Sequence, residues 1–140
     1  MPTYIYFAIL SMLFAGLTAV IAKFGLKDIP ADLGLAIRTV VVFVLVVINF
    51  FAWHNVNTIK QVTPKAFLFL AISGLTTALS WIFYYRAIKI GDVSVVAVID
   101  KASIVITLIL SFWLLKEPFT IRIIVAGLFI ITGLLILIWK

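Results

Sequence analysis

Cysteine is absent and histidine occurs once, at His54. Disulfides and thiolate metal sites are thereby excluded, and a single loop imidazole makes no metal cluster, so neither a metal nor another cofactor is expected. Charge is scarce as well. Only 11% of the 140 residues are Asp, Glu, Lys or Arg, where soluble domains carry about a quarter. With 66% apolar residues the chain has too little polar surface to meet water, and lipid is the solvent that fits. No nucleophile–base pair or metal-ligand set stands out, which argues against an enzyme. The net charge of +6 does not point to nucleic acid, because the basic residues stand mostly singly between apolar runs. That placement suits lipid headgroups and orientation signals.

The N-terminus lacks the basic stretch of a secretory signal, since the first lysine is Lys23. The apolar run from Tyr4 to Ala22 also exceeds the roughly 7–15 residues of a signal core, so it is expected to be a helix of the mature protein. A spanning helix needs about 20 mostly apolar residues. The pattern predicts an all-α membrane protein of five such helices, one transmembrane domain over residues 1–140. Their expected bounds are Tyr4–Lys23, Leu33–Trp53, Ala66–Arg86, Val93–Leu115, interrupted by Asp100 and Lys101, and Ile121–Trp139.

The breaks carry their own chemistry. Asp28-Ile29-Pro30-Ala31-Asp32 reads as a turn with Asp32 as N-cap of the second helix. Thr63-Pro64 places an N-cap before a first-turn proline. Gly91-Asp92 offers a glycine stop followed by an N-cap, and Glu117-Pro118-Phe119-Thr120 ends the fourth helix and caps the fifth. Only the stretch from Asn55 to Thr63 is long enough for a larger loop. Tyr4, Tyr6, Trp53 and Trp139 sit near helix ends, where aromatic belts form.

Five spans put the termini on opposite sides. One side then holds the four basic residues Lys60, Lys65, Lys116 and Arg122; the other holds the four residues Lys27, Arg86, Lys89 and Lys140, or six with Lys23 and Arg38. This near balance permits insertion in either orientation, beside the plainer expectation of one orientation with the first loop cytoplasmic.

Polar groups in hydrocarbon cost free energy unless they pair or face a wet cavity. In the fourth span Asp100, Ser103, Thr107 and Ser111 follow helical spacing, with Lys101 about 100° round the axis from Asp100. The third span repeats the pattern with Ser73, Thr77, Ser80 and Tyr84, and Trp81 beside them. The first does so with Ser11, Ala15, Thr18, Ala22 and Gly25, and the second carries Arg38 and Asn49. The simplest assembly sets these four helices around a polar path, leaving the fifth, with Gly127 and Gly133, to pack outside or against another subunit.

Each residue has a plainer reading. A lone Ser or Thr usually bonds its own helix carbonyl. Asp100 is either a proton carrier, burial of a carboxylate favouring its neutral form, or the partner of Arg38 or Lys101 in a structural pair. Lys101 either binds a substrate carboxylate or snorkels to the interface. Arg38 stands near a helix end, where anchoring is the simpler role. Trp81 and Tyr84 either stack on an organic substrate or pack.

The stretch from Trp81 through Ala97, WIFYYRAIKIGDVSVVA, resembles the second half of an EamA repeat of the drug/metabolite transporter superfamily. The match continues through Asp100-Lys101-Ala102-Ser103, Leu114-Leu115-Lys116-Glu117-Pro118-Phe119-Thr120, Gly127 and Gly133, and upstream through Ala22-Lys23-Phe24-Gly25-Leu26 and Ile37-Arg38-Thr39. It covers nearly the whole chain. The resemblance implies a multi-pass transporter of small solutes in the cytoplasmic membrane of a bacterium or archaeon. Most members carry two five-helix repeats in opposite orientation; this chain is similar to one repeat alone, as in the small members, and lacks the proline many repeats have in the fourth helix. A single repeat cannot supply two inverted halves, whereas two oppositely inserted copies can. An antiparallel homodimer with dual topology is therefore expected. Gly127 and Gly133 are its plausible contacts, by packing logic and by similarity to small multidrug transporters. The expected cargo is a small metabolite, amino-acid-like or another small organic solute, moved outward, with proton coupling through Asp100. The rivals are export of cationic aromatics on Asp100, Trp81 and Tyr84, and a non-transporting partner of a larger membrane assembly.

Overall fold

A computed structural model describes residues 2–118 and 120–139. The cap reading at Phe119 and the charge counted at Lys140 lie outside the described residues. The described chain is helical throughout, with no strand among the described residues. Its helices are α1 (Thr3–Gly25), α2 (Ala31–Trp53), α3 (Pro64–Ile90), α4 (Val93–Asp100), α5 (Ser103–Leu114) and α6 (Ile121–Ile138), with a 3₁₀ helix over Val56–Gln61. Among the described residues, four segments are long and apolar enough to cross a membrane: α1, α2, α3, and Val93–Leu114 taken through its break. The shorter apolar helix Ile121–Leu137 is the fifth. This is the expected all-α membrane protein of about five spans.

The exposed surface is apolar: Phe7, Phe43, Leu70 and Phe129 are each more than 60% exposed, as a face turned to lipid or to another subunit requires. Two compact units are present, residues 1–90 and 91–140.

In the first unit, α2 begins one residue before the expected cap. Pro30 (φ −59°, ψ 145°) occupies the N-cap position, and Asp32 falls inside the first turn. The assignment of Asp32 as N-cap is thus corrected. Proline presets the backbone at the entry, and an acidic residue still favours the positive helix terminus from inside the first turn. The cap of α3 matches the sequence: the Ala66 N–H donates to Thr63 Oγ1 at 3.2 Å. At 27 residues α3 is about 40 Å long, more than the roughly 30 Å of hydrocarbon, so both its ends reach the interface. Burial concentrates where α1 and α3 end and α2 begins, on Leu26, Leu35, Tyr85 and Ile88. Gly34 makes this packing possible, because a Cβ there would collide with the Leu26 side chain.

Two lysines tie that end together in a way the sequence did not announce. Lys23 Nζ, on α1, donates to the Ile88 carbonyl at 2.6 Å and to that of Lys89 at 3.4 Å. Lys89 Nζ, on α3, donates back to the Leu26 carbonyl and, at 3.0 Å, to that of Lys27. Each lysine thus satisfies terminal carbonyls beside the other's helix, where the negative end of the helix dipole also favours a cation.

In the second unit the fourth span is divided between Asp100 and Ser103. No proline causes the break. Tighter bonds carry the chain through it, from Ala102 N–H to the Ile99 carbonyl (2.9 Å), Ile104 to Lys101 (3.1 Å) and Val105 to Ala102 (3.0 Å). Helix α5 closes through Lys116, whose φ of 54° is left-handed, a conformation usually left to glycine. Asp92 and Thr120 hold the expected N-cap positions of α4 and α6, but neither side chain makes a cap bond. The backbone of Gly127 packs close to α5, a Cβ there meeting Leu108 Cδ1 at 3.2 Å.

Candidate functional site

The first unit places its charges on two levels. At the rim, Asp32 in the first turn of α2 receives both Arg86 Nε (3.1 Å) and a terminal Arg86 nitrogen (3.2 Å) from α3. This forked geometry is the one that suits guanidinium and carboxylate. Both side chains are more than half exposed, so the pair fixes geometry more than it adds stability.

Deeper lies Arg38, seven residues into α2, roughly 10 Å along the helix from its start. Its guanidinium carbon sits 4.2 Å from the ring centroid of Trp81 and 5.6 Å from that of Tyr85. Trp81 and Tyr85 are one turn apart on α3, so one helix face presents both rings to one cation. The described ion pairs are Asp32–Arg86 and Asp100–Lys101, and neither involves Arg38. Tyr85 is 4% exposed and forms the floor of this cluster.

Two grooves flank it. One, of about 460 Å³, is lined by Thr18, Ala22 and Gly25 of α1, Ile37 and Arg38 of α2, and Tyr85. The other, of about 1060 Å³, runs between α2 and α3, past Thr39, Phe43, Ser73, Thr77 and Trp81 to the Asp32–Arg86 rim. The predicted residues Thr18, Arg38, Ser73, Thr77 and Trp81 therefore do line grooves of one unit. Ser80 and Tyr84 line neither of them; Tyr84 lies with its ring centroid 6.4 Å from that of Tyr85.

Several hydroxyls take the plainer role. Thr18 donates to the Phe14 carbonyl (2.7 Å), Thr77 to Ser73 (2.8 Å) and Thr107 to Ser103 (3.0 Å). Their donors are used within their own helices, and what they offer a groove is the oxygen lone pairs. His54, beyond the end of α2, is exposed and stacks on Phe50 at 5.6 Å.

In the second unit Asp100 Oδ2 and Lys101 Nζ stand 3.4 Å apart at the helix break. Neighbouring residues on an unbroken helix point about 100° apart; the tightened turn lets these two meet. Asp100 is 36% and Lys101 59% exposed, so the pair remains open to its surroundings. Ser103, Thr107 and Ser111 share a face within α5. Gly127 is buried against Leu108, while Gly133 has open space where a side chain would begin.

The sequence reading missed Tyr85, Asp32 and Arg86 as site residues. The spacing of Trp81 and Tyr85 was available, but nothing in a sequence pairs two aromatics of one helix with a cation of another.

Apolar spans that gather charges at paired or ring-stacked positions, one of them broken at a carboxylate–lysine pair, define a multi-pass membrane protein. Residues 2–139 match the EamA-like transporter family, and the chain belongs to that family. It is 39% identical over 132 residues to a Sinorhizobium sp. protein named as an uncharacterized transporter in the cobO 3' region, an alignment covering 94% of each chain. No solved structure matches it. The chain is thus a membrane transporter of the EamA family.

Proposed function

We propose that this transporter is a secondary carrier that exports small amino-acid-like metabolites across the cytoplasmic membrane of a bacterium or archaeon. It works as an antiparallel homodimer by alternating access. The observation that carries this reading is the broken fourth span. A discontinuous helix with a charged pair at its break, inside an otherwise apolar segment, is how secondary carriers build a binding site at membrane depth. Charges there are costly to keep without a task. The helix count supports the dimer: an inverted counterpart would let one five-helix set offer its site to both sides in turn.

Asp100 is the proposed proton carrier. Its carboxylate and Lys101 hold one another until a proton takes the place of Lys101. The test is flux through purified protein in liposomes with an imposed pH gradient. Asp100→Asn is expected to abolish gradient-driven accumulation while counterflow persists. Full-rate accumulation by the variant, with unchanged pH dependence, refutes the carrier role.

The rival export of cationic aromatics is disfavoured by the charge on the rings. Trp81 already carries the Arg38 guanidinium on its face, which repels a second cation. A resistance screen separates the two readings: protection against toxic amino-acid analogues is expected, and protection against cationic dyes alone supports the rival.

A further inference from the structure

We propose that Arg38 is the anion anchor of this carrier: it binds the carboxylate of a small solute whose apolar body lies in the groove between α1 and α2. This deepens the transport reading above and rests on it for its biological meaning.

The first support is the state of the guanidinium. It meets Trp81 and Tyr85 through ring faces at 4.2 and 5.6 Å. A ring face answers charge without offering the strong, directional acceptor that guanidinium N–H donors are matched by. No described ion pair supplies one, since Asp32 is committed to Arg86 and Asp100 to Lys101. A cation roughly 10 Å along a spanning helix is costly unless something answers it. The rings answer part of the charge and hold the group against α3. A forked carboxylate is the acceptor that matches those donors.

The second support is the shape of the space beside it. The groove that Arg38 and Tyr85 line is about 460 Å³, enough for a solute of amino-acid size. Its other walls include Ile21, Leu26, Ile29 and Ile37, which are apolar. Gly25 and Gly34 are among its lining residues, and neither contributes a side chain that would fill it. A groove with one cation in a lining that is otherwise mostly apolar, Thr18 and Tyr85 apart, suits a carboxylate with an apolar body. Neutral molecules lack the negative charge and the paired acceptor oxygens, and organic cations are repelled.

The third support concerns position. A lysine that merely snorkels, or an arginine that anchors at the interface, carries its head outward into water and phosphate. Arg38 instead lies against α3, half-buried, beneath the Asp32–Arg86 rim. The anion of a lipid headgroup offers similar chemistry to a guanidinium, so the experiment must distinguish the two.

The experiment uses the full-length protein in a neutral detergent with radiolabelled 3-phenylpropanoate and its uncharged isostere 3-phenylpropanamide. Saturable binding of the acid is expected, at least tenfold tighter than the amide. Arg38→Gln is expected to erase that preference while the protein keeps its helix content and elution volume. Arg38→Lys, which keeps the charge but loses the fork, is expected to retain only part of it. Lys65→Gln, a cation outside the groove, is expected to change nothing. Equal affinity for acid and amide, or a preference that survives Arg38→Gln, overturns the anchor. So does a site that phosphatidylglycerol fills, excluding the acid at a few molecules per protein. These are binding readouts. Loss of the preference leaves flux of other solutes standing, whereas intact preference without any flux removes the transport reading and keeps the anchor.

Discussion

Gly34, Lys116 and Arg38 show how single positions set this molecule. A Cβ at Gly34 would overlap the buried Leu26 side chain and press Ile29 Cδ1 at 3.5 Å. Gly34→Val is therefore expected to cost about 1–3 kcal/mol through overpacking, read as a lowered midpoint of thermal unfolding in detergent. Lys116 holds a left-handed backbone without being glycine. Lys116→Gly is expected to stabilise by about 1 kcal/mol, since the Cβ penalty of that conformation disappears. An unchanged or lowered midpoint contradicts this. Arg38 marks the limit of what residue-level reading gives. Its place near a helix start makes interface anchoring the natural expectation. The rings that hold it belong to a distant segment, and no spacing rule joins a cation on one helix to aromatics on another.

At the scale of elements, the helices were legible because twenty-residue apolar runs leave few alternatives in lipid. The Thr63 cap and the break at Asp100 and Lys101 were legible for the same reason: each is a local competition, decided within one turn. Asp32 was misplaced because an acidic residue before an apolar run is an ordinary N-cap signal, and Pro30 took that position instead. The paired lysines were not legible at all, since lysine-to-carbonyl bonds between helices leave no pattern in the chain. They make a clear prediction. Lys23→Met and Lys89→Met are each expected to cost roughly 1–3 kcal/mol, the usual worth of hydrogen bonds to a charged group. In a double-mutant cycle the two losses should not add, because both lysines join the same two helix ends. Simple additivity would mean the lysines act separately. Helix α6 offers a second test. Gly127 is used within its own unit against Leu108, whereas Gly133 is open. If the proposed dimer packs through this glycine, Gly133→Leu leaves helix content intact and dissociates it in cross-linking and size measurements. Gly127→Leu is expected to unfold its unit first. A dimer unaffected by Gly133→Leu moves the contact elsewhere.

For the whole molecule, the family was legible because the resemblance ran along the chain from Ala22 to Gly133, and the match over residues 2–139 bears it out. The candidate site was only half legible: the polar stripes named groove residues such as Thr18 and Thr77 but not the ion pair that rims them. What the chain does as an assembly turns on its charges. The basic residues expected on one side, Lys60, Lys65, Lys116 and Arg122, nearly balance Lys27, Arg86, Lys89 and Lys140 on the other. Such a balance gives the insertion machinery little reason to choose an orientation. In the proposed antiparallel dimer, two copies in opposite orientations together form the carrier. The most direct test fuses, after Lys140, reporters active on only one side of the membrane. Comparable activity from a cytoplasmic and an external reporter, with Lys or Arg added at one end driving all copies one way and abolishing flux, is the expected result. Activity from one reporter alone in the unmodified protein would contradict the antiparallel dimer.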